Sequence, residues 1–312
     1  MAPTPVTARP PARIRRNWLE LPSELTESIL MRLSAFDVYE NARKVCRTWR
    51  SICSQPSMWR VVNLMHPGDP YDIYYDAENI YEKAVDLSSG EMVEFRMNHF
   101  ANDGLLEYVA DRSSRLRCLQ LECCSEITNE GLCKMLRKLP LLEELHLYCI
   151  RISKQTIEVA GRCCPQLKTF KLNSKGHRKL HIGCDENALA IAENMPGLRH
   201  LQLFGNRITK DGLLAILESC PHLESLDIRH CYKAVNLEPD LDKRLSQQIK
   251  NLRLPYDSTE DSEFKSEIYE WLSSDDDDYS GQSDSDIDPE DYNFPGNGYD
   301  YEFWGSDDDI FW

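Results

Sequence analysis

The chain has 312 residues, of which 41% are hydrophobic and 28% charged, enough apolar content for a core and too much for wholesale disorder. Its net charge of −16 is unevenly placed: residues 257–312 hold 20 acids and one base, Lys265, for −19, which leaves +3 on residues 1–256. That balance argues against a nucleic-acid binder driven by phosphate contacts, and no run of roughly 18 apolar residues is present to span a membrane.

In chain order, residues 1–16 carry Arg9, Arg13, Arg15 and Arg16 but lack the apolar centre of a secretory signal, and read as a disordered basic N-terminus. None of the twelve cysteines forms a Cys-x-x-Cys pair, so they read as reduced, buried thiols of a nuclear or cytoplasmic protein. Residues 17–60 show three short amphipathic helices. Pro22 opens the first, with Leu25, Ile29, Leu30 and Leu33 on one stripe. Ser34 and Asp37 form a variant capping box for the second. Val45, Cys46, Trp49, Ile52 and Cys53 fall on one helical face of the third, and Trp59 comes after it. About 40 residues cannot bury that much apolar surface alone, so this module should pack on a partner or on the adjoining repeats. Residues 61–91 read as a turn-rich connector, with a helix from about Tyr74 to Val85 capping the next region.

From residue 92 to 256 a repeat of about 25 residues appears, built on the phrase apolar-x-x-apolar-x-apolar. Clear copies begin at Leu116, Leu142, Leu167, Leu198 and Leu223, and weaker ones at Met92 and Ile249. The apolar-x-apolar part has strand period, so leucines such as Leu145 and Leu201 point inward and the residues between them outward. Thr128, Ser153 and Thr209 stand where helix N-caps are needed. Pro140, Pro165, Pro196 and Pro221 then end the helices before the next strand. One strand and one helix cannot cover their own apolar faces and must stack. The result is a leucine-rich-repeat solenoid of about seven repeats, with parallel strands inside and helices outside. The third repeat is longer than its neighbours, with Lys171, Lys175, Arg178 and Lys179 making the excess basic. The outward strand residues include Cys118, Glu144 and Asp227. Tyr148 and Phe204, beside His146, His200 and Gln202, resemble aromatic anchors of a binding surface. With Lys171 and Arg229 these are the candidate contacts for a protein ligand.

Residues 257–312 read as a disordered acidic tail. Within it Phe264, Ile268, Tyr269, Trp271 and Leu272 fit one short helix. Ser273, Ser274, Ser283, Ser285 and Ser306 each precede an acid by three residues, as acidophilic kinases favour. Such a tail is expected to be drawn to the basic loop of the third repeat. No phosphate-binding loop, nucleophile elbow or metalloprotease helix occurs, and the eight histidines show no metal-ligand spacing, so no catalytic residue, metal or cofactor is expected.

The run Trp18 to Leu25, with Ile29-Leu30, Val45-Cys46-Arg47-Thr48-Trp49-Arg50 and Trp59, resembles an F-box. Joined to these repeats, it is similar to the short plant-type F-box/leucine-rich-repeat proteins over residues 17–255. The resemblance implies an α/β chain with a three-helix F-box ahead of the solenoid, and the disordered acidic tail lies beyond the part it covers. It implies a non-catalytic substrate receptor of an SCF ubiquitin ligase, docking through the F-box on a Skp1-like adaptor, and through it on a cullin and RING subunit. The repeats would hold an unknown protein substrate, with neither nucleic acid nor membrane as partner. By position, Leu21, Pro22, Leu25, Leu30, Leu33, Val45, Cys46 and Trp49 would form or support the adaptor face. The alternative is a leucine-rich-repeat scaffold that binds a protein and recruits no ligase.

Overall fold

The computed structural model describes residues 21–65, 77–174, 184–234 and 239–262. The basic N-terminus, most of the basic loop (Lys175, Arg178, Lys179) and the tail from residue 263, including its expected helix and serine sites, lie outside the described residues.

The first helical module is shaped by its caps. Pro22 sits in extended geometry (φ −52°, ψ 144°), and its carbonyl accepts from the amides of Leu25 and Thr26 at 3.1 Å, starting α1 (Ser23–Leu30). Thr26 and Leu30, four residues apart, form its buried face. Ser34 then works as expected. Its Oγ accepts from the Asp37 amide at 3.0 Å and donates to the Asp37 carboxylate at 2.9 Å, opening α2 (Ala35–Asp37). The run continues through a π turn, Val38–Ala42, into α3 (Arg43–Val45). The single helical face expected over residues 45–53 is not formed. Cys46 is extended (φ −158°, ψ 172°), and its Sγ accepts from the Trp49 amide at 3.4 Å as the cap of a new helix, α4 (Arg47–Cys53). That break separates exposed Val45 from buried Ile52 and Cys53. Trp59 closes the module from below, its indole N–H donating 2.7 Å to the Cys53 carbonyl.

Eight parallel strands come next in chain order: β1 (Val61–Leu64), β2 (Glu94–Asn98), β3 (Cys118–Glu122), β4 (Glu144–Tyr148), β5 (Thr169–Asn173), β6 (His200–Gln202), β7 (Ser225–Asp227) and β8 (Asn251–Arg253). Each pairs only with its sequence neighbours, as a right-handed stack of strand–helix units must. β1 lies inside the stretch expected to be a connector. It lacks the leucine phrase but alternates exposed and buried residues, and pairs Val62 with Phe95 and Leu64 with Met97. It joins the helical module to the sheet and precedes the capping helix α5 (Ala77–Leu87).

The repeat helices are α6 (Asp103–Arg112), α7 (Asn129–Arg137), α8 (Lys154–Cys163), α9 (Glu186–Asn194), α10 (Lys210–Ser219) and α11 (Pro239–Gln248). Pro140, Pro165, Pro196 and Pro221 each stand in the turn that returns the chain to a strand. The register stacks Phe95, Leu119, Leu145, Phe170, Leu201 and Leu226 into one buried spine. Burying each such side chain fully contributes about 1.5–3 kcal/mol.

Two polar ladders fix the spacing of the stack. Asp103 accepts from the Thr128 amide (2.9 Å) and hydroxyl (2.6 Å) one repeat on, Asp185 does the same for Thr209 (2.7 and 2.5 Å), and Asn129 accepts from the Ser153 amide and the Thr156 hydroxyl (2.7 and 2.8 Å). The aspartates need glycine opposite them: a Cβ on Gly131 would lie 2.0 Å from Asp103 Oδ1, and one on Gly212 2.3 Å from Asp185 Oδ1. The second ladder lies just past the strands. His99, Cys123, Cys149, Gly205 and His230 take positive φ (53–70°) and donate their amides to carbonyls of the next repeat, Glu122, Tyr148, Asn173, Arg229 and Pro255, at 2.8–3.0 Å. Four non-glycine residues thus hold a left-handed turn that is ordinarily unfavourable, because it extends each strand pairing by one bond.

Candidate protein-binding surfaces

The helical module leaves much of its apolar surface uncovered. Val45 is 62% exposed and Leu25 53%, and Leu33 and Pro22 are exposed as well. Leu21, Cys46 and Trp49 are half-buried, Trp49 packing against the core. Leu30, expected to form or support the adaptor face, is fully buried. It sits on the inner side of α1, one residue round from exposed Ile29. The sequence stripe merged the two sides of this helix. Three further large apolar residues of the module, Ile29, Met31 and Phe36, are exposed as well. Six large apolar side chains are therefore exposed within residues 25–45, among nine on all the described residues.

On the sheet, alternation holds: inward leucines and outward polar residues fall in the expected register. Exposure does not track alternation. His146 is only 5% exposed, and Tyr148, Phe204 and Arg229 are also buried. Strands about 4.8 Å apart flank every outward side chain with neighbours on both sides, so medium and large residues close over one another. Tyr148 and Phe204 form a small cluster with Cys149, and Phe204 also packs on His230 (ring centroids 4.6 Å apart). They are not free anchors. Arg229 is held by Asp227 (Nη2 to Oδ2 2.7 Å, Nε to Oδ1 3.1 Å), the Ser258 carbonyl (2.7 Å) and Asp261 (2.5 Å). The same contact holds the Asp261 carboxyl below the usual carboxylate range. Arg229 is consumed within the fold, and residues 257–262, expected to begin the free tail, pack on the last repeats through it.

Three expected contacts remain together. Lys171, His200 and Gln202 line a recess of about 210 Å³ with Thr169, Ser225 and Asp227, where Gln202 Nε2 donates to Asp227 Oδ2 at 3.1 Å. The register explains the grouping, since Lys171, Gln202 and Asp227 are successive partners across β5, β6 and β7. Asp227 was legible as an outward residue, but its meeting with Thr169 and Ser225 in the recess comes from this lateral row. Beside it, burial first, then the positive charges of Lys171 and Arg96, push the His146 imidazole down to about 3. Burial, reinforced by Glu144 and Glu94, pushes the Cys118 thiol up to about 12. The recess is small, polar and open, suited to a protein side chain more than to an enclosed ligand.

Residues 18–65 match the F-box-like family, and residues 195–217 and 219–231 match the leucine-rich repeat. An F-box protein of Arabidopsis thaliana is 48% identical over 258 residues, covering 79% of this chain and 82% of its own length. F-box protein SKIP19 of the same plant is 44% identical over 290 residues, covering 89% of this chain and 94% of its own. A further Arabidopsis thaliana protein, an F-box/LRR-repeat protein, is 45% identical over 232 residues, 73% of this chain and 93% of its own. With this helical module, this stack of repeats and relatives matched along most of their length, the chain belongs to the F-box/LRR-repeat family.

Proposed function

We propose that this chain is the substrate-recognition subunit of an SCF ubiquitin ligase, acting in the nucleus or cytoplasm and carrying no catalytic chemistry of its own. Its F-box docks on a Skp1-like adaptor, which links it to the cullin and RING subunits. Its repeats hold a protein substrate, with the recess of Lys171, His200 and Gln202 as the contact. The observation that supports this most is the exposed group Leu25, Ile29, Met31, Leu33, Phe36 and Val45 on a module whose inner face is already filled by Leu30, Ile52 and Trp59. Apolar surface concentrated in that way belongs to an interface.

The test is co-purification of the full chain with a Skp1-like adaptor. Leu25→Asp and Val45→Asp each place a charge in the contact without touching the core, so adaptor binding should fall at least a hundredfold while the unfolding midpoint stays put. Retention of the adaptor by the double variant, or no binding by the native chain, would leave the protein a repeat scaffold that recruits no ligase.

A further inference from the structure

Outside the recess and the F-box face, one cluster on the sheet has no role in either. Cys118 on β3 and Glu144 on β4 are direct register partners, and His146 lies two residues further along β4 on the same face. One carboxylate oxygen, Glu144 Oε2, lies 3.3 Å from His146 Nε2 and 3.9 Å from Cys118 Sγ. The three ligand atoms all lie within 4.8 Å of one another. Metal–ligand lengths of about 2.0–2.3 Å in a tetrahedral zinc site put ligand atoms roughly 3.3–3.6 Å apart. One edge of that figure is already in place and a second is a few tenths of an ångström long.

The second observation is the histidine itself. Both ring nitrogens of His146 are buried, and neither has a hydrogen-bond partner among the described residues. The contact with Glu144 does not have hydrogen-bond geometry, and the Tyr148 ring beside it (centroids 6.1 Å apart, planes 16° apart) offers the nitrogens nothing. A buried polar group left so calls for a reason, an ion among them.

We propose that Cys118, Glu144 and His146 form a mononuclear site for a borderline divalent transition metal, zinc in the first place. A thiolate, an imidazole and a carboxylate select Zn²⁺ over the hard ions Mg²⁺ and Ca²⁺, which take oxygen ligands. Thiolate and carboxylate together balance a double positive charge, against which Lys171 and Arg96 stand nearby and Glu94 pairs with Arg96. The Glu144 side chain is 47% exposed, which provides the route of entry and leaves the fourth position on the open side of the sheet. Three protein ligands and an open position describe a site that water or a side chain of a bound protein completes. The site stands whether or not the F-box recruits an adaptor.

The experiment uses the full chain, stripped with a chelator and titrated with Zn²⁺ against a chromophoric competitor, then with Co²⁺ as a spectroscopic substitute. One equivalent should bind, and the Co²⁺ form should show a thiolate-to-metal charge-transfer band. Cys118→Ser should abolish the band. Glu144→Gln, which changes a half-exposed side chain and leaves the fold intact by circular dichroism, should weaken Zn²⁺ at least about tenfold, since even a lost outer partner costs 10–100-fold. Absence of saturable one-to-one binding overturns the site. So does a band that survives Cys118→Ser and Glu144→Gln, or one removed instead by Cys184→Ser at the exposed cysteine.

Discussion

The F-box and the solenoid use the same residue types to opposite ends. In the repeats the apolar positions of each strand are covered by the helix of the same unit and by the units on either side, and Leu119, Leu145, Phe170, Leu201 and Leu226 are all buried. In the F-box, leucines of similar spacing divide: Leu30 is buried, while Leu25 and Leu33 stay exposed. A stack closes because every unit brings its own cover, whereas three short helices have too little volume to cover both faces of each. Apolar periodicity therefore means buried core in the repeats of this molecule and exposed surface in its helical module.

The widest gap between the two halves should appear on truncation. Leu145→Ala and Leu30→Ala should each destabilise by about 2–5 kcal/mol in urea unfolding, against within about 0.5 kcal/mol for Leu25→Ala, whose loss falls on adaptor binding. Equal effects at Leu30 and Leu25 would erase the distinction between inner and outer faces of α1.

The ladder between repeats has no counterpart in the F-box and can be broken separately. Gly131→Ala drives a Cβ into the Asp103 carboxylate and should destabilise by about 1–3 kcal/mol, whereas Gly197→Ala, with nothing within 4 Å, should stay within about 0.5 kcal/mol. Combining Gly131→Ala with Asp103→Ala should give less than the sum of the two, because the clash disappears with the carboxylate. Strict additivity would show that the close approach is not the cause.

Inside the F-box, Ser34→Ala removes the cap of α2 and should lower stability by about 1 kcal/mol, while Ser34→Thr, which keeps the hydroxyl, should retain most of it. A neutral result for Ser34→Ala would mean that the packing of Val38 and Ala42 alone starts that helix. The mildest probe leaves the sequence unchanged. Under native conditions a thiol reagent should modify exposed Cys184 first. Cys164 and Cys220 should react last, since burial raises their thiols to about 12 and about 11, and with them Cys231, fully buried and raised further still. Early modification of Cys220 would show that the solenoid opens more readily than its packing implies.

Much of this was readable along the chain. Capping residues, helix-ending prolines and the leucine phrase act over a few residues, so Ser34, Pro140 or Leu145 declare their roles locally, and their recurrence forces a parallel stack. The Asp103–Gly131 relation was present too, in the recurring Ile-Thr-x-x-Gly-Leu of residues 127–132 and 208–213, but its meaning needs the neighbouring repeat. Strand β1 escaped because it lacks the leucine phrase and is held by pairing with β2.

The direction each strand residue takes is settled along the chain, because a period of two is a property of the backbone alone. Which outward residues stay exposed, and which of them meet, is settled in three dimensions. His146, Tyr148, Phe204 and Arg229 point away from the leucine core and are buried nonetheless, while Cys118 meets Glu144 and His146 from a different repeat. Lateral neighbours on a parallel sheet come from other repeats, and their closeness is set by the register of whole strands, which no local spacing records.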